Sequence, residues 1–152
     1  MTKKTLSYLI SLLKKAIQDE QNWESAFDIV GEISTLKDFK SIYFLLRLLS
    51  DDSEDLHLMW SIVHAMEIFE DQVYVREILD SSSYLVQKAP EWASVIFMRI
   101  LNSDSDKQEL IRQLKDSPLP TKSSVKKIME IINNDDLQFL DKTNPVIVAT
   151  SL

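Results

Sequence analysis

The chain has 152 residues, 45% apolar and 27% charged, which suits one globular domain with a real core and excludes disordered and membrane-like classes. Its formal net charge of -7 argues against non-specific attraction to nucleic acid or anionic lipid and favours a basic partner. No cysteine occurs, so disulfides, thiol catalysis and Cys-ligated metals drop out together, as suits a reducing cytosol.

The opening run MTKKTLSYLISLLKKAI has the basic-then-apolar order of a signal peptide, but Lys14 and Lys15 interrupt it and no small-residue cleavage site follows. An amphipathic helix over 4–19 fits better, with Leu6, Leu9, Ile10, Leu13, Ala16 and Ile17 on one face. No stretch reaches the roughly 20 apolar residues of a membrane span, so the expected location is the cytoplasm.

One glycine, Gly31, and four prolines are present, and no Asn-Gly or Asp-Gly joint links alternating runs, so β-hairpins lack their turns. Helical spacing instead predicts helices over 22–34, 38–50, 53–70, 72–88, 90–102, 105–115 and 121–133, then a short turn at Asp136–Phe139. Asn22, Asp38, Ser53, Ser105 and Thr121 are the expected N-caps, and Pro90 suits a first helical turn. The segment DSPLPT marks the clearest break. Residues 143–152, TNPVIVATSL, are expected as a short extended segment or tail beyond a single all-helical domain of residues 1–142. The fold class is all-α. Helix pairs at 22–50, 53–88 and 90–115 predict stacked antiparallel hairpins of HEAT type, and their irregular period leaves a compact bundle as the alternative.

Catalytic chemistry finds little to work with. His57 and His64 are the only histidines, and seven residues, roughly 10 Å along a helix, is too far for a shared metal. Glu54 and His57 form the Glu-x-x-His half of a di-iron motif, but no second copy exists. An HExxH pair is absent, and a single glycine rules out a phosphate loop or a nucleophile elbow. Ser81, Ser82 and Ser83 read as turn and cap residues, and Asp51 with Asp52 as acids complementing a helix dipole. No catalytic residue, metal or cofactor is expected. An enzyme using metal at Glu54 and His57 is the reading with least support.

Two surfaces look like contacts instead. On the helix from Ser53, a wide apolar arc leaves a stripe of His57, Trp60, Ser61, His64, Glu67 and Asp71. Trp60 at its edge is either a core residue with its N–H satisfied or an interface anchor. In NWESAFDIVGEIS, residues 22–34, Trp23, Ala26, Phe27, Ile29, Val30 and Ile33 are expected to be buried. Glu24, Asp28 and Glu32 then face outward four residues apart, a like-charge line that costs a helix about 0.2–0.5 kcal/mol per pair. The loop LSDDSEDL adds Asp51, Asp52, Glu54 and Asp55, while basic residues concentrate at 3–15 and 107–127. Any one acid is ordinarily just solvated. Their combination with the Trp/His stripe predicts a surface for a cationic protein.

The run LLRLLSDDSEDLHLMWSIVHAMEIFE, Leu45 to Glu70, with the later APEWASVIFMRILNSDSD, resembles the small acidic HEAT-like immunity proteins of bacterial polymorphic-toxin and contact-dependent growth-inhibition systems. The resemblance spans roughly residues 20–115 and rests on apolar helices, an acidic loop and a mid-helix Trp. It implies stoichiometric 1:1 inhibition of a cognate toxin domain, expected to be a cationic nuclease whose phosphate-binding cleft an acidic helical surface would cover. No direct contact with nucleic acid or membrane is implied. The alternative is a helical-repeat adaptor for an endogenous basic partner. The expected binding residues, Glu24, Asp28, Glu32, Asp51, Asp52, Glu54, Asp55, His57, Trp60, His64, Glu67 and Asp71, come from the charge and stripe pattern alone.

Overall fold

Helix α1, Leu6–Gln18, starts where the Thr5 hydroxyl accepts a hydrogen bond from the Tyr8 backbone N–H at 3.2 Å. Its apolar line Leu9, Ile10, Leu13 and Ala16 is buried, and each large side chain removed from water this way is worth about 1.5–3 kcal/mol. Helix α2, Trp23–Thr35, packs on α1 and buries Ala26, Val30 and Ile33. These are the first two of ten α-helices in a computed structural model that describes residues 4–19 and 23–152. No strand occurs among the described residues, so the all-α class expected from periodicity is the class observed.

The chain divides into two compact units, residues 1–70 and 71–152. In the first, α3 (Ser41–Leu46) and α4 (Leu56–Met66) follow α2. Helix α2 packs chiefly on α1 and α4, not on α3, so the expected 22–50 hairpin is replaced by a layer of α1, α2 and α4 with α3 set against α4. Helix α4 carries the centre of this core: Leu58, Met59, Ile62, Val63 and Met66 are almost wholly buried. Helix α2 ends at Thr35, and Lys37, two residues on, has a left-handed φ of 50°, a conformation in which glycine is usually favoured.

The second unit begins with α5 (Asp71–Asp80), α6 (Ser82–Lys88), α7 (Pro90–Leu101) and α8 (Asp104–Lys115), and α9 (Leu119–Asp135) follows. A 3₁₀ turn at Leu137–Phe139 leads into α10, Leu140–Thr150. Helix α7 supplies the deepest side chains, with Ile96 and Phe97 fully buried, and packs on α8 and α9. Helix α5 packs on α8, α6 on α7 and α9, and α10 on α8 and α9.

Several expected boundaries move, each for a local reason. The division of the chain falls at 70/71, inside the expected 53–88 hairpin. The expected helix 72–88 is two helices joined at Ser81, where the Ser82 hydroxyl donates to the Leu79 carbonyl at 2.8 Å and competes with the helical ladder. Asp55 rather than Ser53 caps α4, accepting from the Leu58 N–H at 3.0 Å, and Ser103 rather than Ser105 caps α8. Helix α9 starts after Pro118, two residues before Thr121. Asp38 accepts from the Lys40 N–H in a turn that precedes α3, while the expected cap Asn22 lies outside the described residues. The expected extended segment or tail at 143–152 is the body of α10 instead. Burial of Thr143, Val146 and Ala149 outweighs the proline and β-branched residues there, and the Thr143 hydroxyl donates to Asn133 Oδ1 at 2.7 Å.

An ion pair within α8 adjoins a hydrogen bond from that helix to α5. Glu109 accepts from Arg112 and from Gln113, and Gln113 also donates to the Gln72 carbonyl at 2.9 Å at the start of α5. The hydrogen bonds from Arg112 and Gln113 hold the Glu109 carboxyl below its ordinary value. Its stabilising contribution is therefore complete above the unfolded-state value and disappears as pH falls through the lower folded-state value. Urea midpoints of the wild type and Glu109→Gln should differ at neutral pH and draw together as the pH is lowered below the ordinary carboxylate range. Equal midpoints throughout would show that the bridge adds nothing.

Candidate functional site

Helices α2 and α4 pack at their buried faces and diverge at the surface, leaving a groove of about 440 Å³. Steps of three and four residues bring Phe27, Val30, Gly31 and Ser34 to one wall, and His57, Trp60, Ser61, His64 and Ala65 to the other. Ile68, just beyond α4, closes one end. The Phe27 and His57 rings stack at 4.7 Å with 18° between their planes, and Trp60 and His64 lie 6.0 Å apart at 34°.

One of these walls corrects the sequence reading. Phe27, expected in the buried face of α2, is 40% exposed and stands at the groove instead. Trp60 is half-buried and forms groove wall. Gly31 is the only glycine in the chain and sits in mid-helix, where glycine costs about 1 kcal/mol relative to alanine. A Cβ built on it would meet nothing within 4 Å. Its φ is not left-handed, so turn geometry does not account for the glycine. It lines the α2 wall of the groove, with open space above its Cα.

The groove's lining holds no carboxylate; the acids of α2 lie outside it. Glu24, Asp28 and Glu32 are exposed, as expected, with Glu24 two turns before Gly31 on the same side and the other two on the adjoining line. Lys4 pairs with Glu32 at 3.3 Å, both side chains about half exposed, so one of the three has a cation from α1's approach. Residues 1–70 hold 12 acidic and 7 basic residues, against 12 and 10 in residues 71–152, which places five of the seven net negative charges in the first unit.

The loop between α3 and α4 forms a second depression of about 250 Å³. Ile17, Trp23, Leu48, Leu58 and Met59 line it with Asp52, Glu54 and Asp55. Its shape is built locally: Ser50 and Ser53 hydroxyls accept from the Asp52 and Asp55 N–H groups, and Asp55 caps α4. Asp51 lies beside this group in the loop and is half-buried. Glu67 is the C-cap residue of α4, and Asp71 belongs to the second unit as the first residue of α5. Of the twelve residues expected from sequence, eleven thus lie in the first unit, and three of them, His57, Trp60 and His64, line the α2–α4 groove. Phe27, Gly31 and Ile68 were missed. A lone glycine in the middle of an otherwise regular helix was the available signal.

Among the described residues, no group of three or more His, Cys, Asp or Glu could hold a metal ion, and no helix is long and apolar enough to cross a membrane.

The described residues thus form an all-α scaffold with an apolar, aromatic-walled groove between α2 and α4. The family model for Immunity protein 30 matches residues 6–110, more than half of the chain, and the protein belongs to that family. The resemblance to polymorphic-toxin immunity proteins drawn from Leu45–Glu70 and Ala89–Asp106 is thereby borne out, and membership implies that the chain binds a cognate toxin. No curated protein and no solved structure matches it.

Proposed function

We propose that this immunity protein neutralises a cationic nuclease toxin, an RNase delivered by contact with a neighbouring cell, in a 1:1 complex formed in the cytoplasm. The acidic flank of the first unit covers the toxin's phosphate-binding cleft. The carrying observation is the α2–α4 groove, where aromatic and imidazole rings stack within the unit that holds most of the negative charge, Glu24 and Asp28 being exposed on α2 one turn from its lining residues. Opposite fields speed encounter, and a half-buried tryptophan slows release.

The test is binding and inhibition with the purified toxin domain encoded beside this gene. Wild-type protein should form a 1:1 complex by size exclusion and abolish RNA cleavage. Trp60→Ala should weaken the complex by about 2–4 kcal/mol, roughly 30- to 1,000-fold, chiefly through faster dissociation. A wild-type protein that neither binds nor protects would end the proposal, and capture of an endogenous basic protein in its place would support an adaptor.

A further inference from the structure

We propose that the α2–α4 groove receives one arginine side chain of the toxin. This rests on the neutralising role proposed above and specifies the chemistry of the contact. The groove's volume of about 440 Å³ falls within the range of ligand pockets, roughly 300–1,000 Å³, which is ample for one long side chain with its backbone. Its chemistry has two parts. Inside are ring faces and aliphatic surface: Phe27 against His57, Trp60, Ala65 and Ile68. Outside, on α2, are exposed carboxylates one helical turn from the lining residues, Glu24 three residues before Phe27 and Asp28 three before Gly31.

A guanidinium on a three-carbon stem satisfies both parts. Its stem covers apolar wall, its plane stacks on tryptophan or phenylalanine, and its N–H fork bonds a carboxylate in bidentate fashion. A leucine or phenylalanine would fill the walls and leave the carboxylates of α2 without a cation. A lysine ammonium is compact and strongly hydrated, and loses more on entering an apolar groove. Gly31 lines this wall, and the space above its Cα is open, so a leucine there would have room to reach into the groove.

The experiment is a double-mutant cycle between this protein and the same purified toxin domain. Gly31→Leu, which favours helix and fills the groove, should keep the wild-type far-ultraviolet dichroism and lose about 100-fold in affinity. The pair Glu24→Gln with Asp28→Asn should lose affinity while leaving the groove open. One toxin Arg→Ala should reproduce the loss and should add nothing to Gly31→Leu, since both remove the same contact. Wild-type affinity in Gly31→Leu overturns the inference, as does coupling of Gly31→Leu to an apolar or lysine residue of the toxin. Either result leaves the neutralising role standing. Absence of binding by the wild type, in the same assay, ends both.

Discussion

Reversing Glu24, Asp28 and Glu32 to lysine should leave the helical content intact and cut the association rate with the toxin by about 10- to 1,000-fold at low salt. The three side chains point outward, so no packed surface is disturbed. A line of three lysines repels itself much as three carboxylates do, and loss of the exposed Lys4–Glu32 pair costs under about 1 kcal/mol. Partner recognition is affected far more: the formal charge moves from -7 to about -1, and the whole change sits on one helix. Salt dependence is the signature. Wild-type association should slow steeply as salt rises, because the Debye length falls to about 8 Å at physiological ionic strength, whereas the reversed variant should lose that slope. Wild-type rates in the reversed variant at low salt would remove α2 from the contact.

The largest stability effect is expected at Phe97. It is fully buried on α7, the helix that packs on α6, α8 and α9. Phe97→Ala should cost about 3–5 kcal/mol, from lost transfer free energy and a cavity that neighbouring helices cannot close. Urea denaturation should show a lower midpoint with an unchanged slope. A loss below about 1 kcal/mol would mean that α7 is not the centre of the second unit's core.

How far the amino-acid pattern carried can be judged from particular helices. Helices α1, α2, α7 and α8 lie within about two residues of their expected ends, because each combines a clear apolar line with a turn signal or cap. Helix α10 was missed because Pro145 and the β-branched run Val146–Val148 argue against a helix, and only packing against α8 and α9 reverses that preference. The expected helix 38–50 shrank to six residues for the opposite reason: its apolar content was right, but the ends are turns.

The site divides along the same line. The carboxylate stripe of α2 follows from spacing within one helix, so Glu24, Asp28 and Glu32 could be placed from periodicity. The groove depends on which helix α2 meets. Consecutive helices were expected to pair, and α2 packs on α4 across the intervening α3. That choice turns Phe27 from a core residue into a wall facing His57, and no pattern local to residues 22–34 contains it.

The family match ends at residue 110, within α8, yet Val125, Ile128, Met129 and Ile132 of α9 are fully buried and α9 lies against α6 and α7. A fragment trimmed to residues 6–110 would bare the apolar sides of those two helices and stop α8 before its last turn. Such a piece would be prone to clump rather than to fold, so minimal versions made for expression or engineering should retain α9.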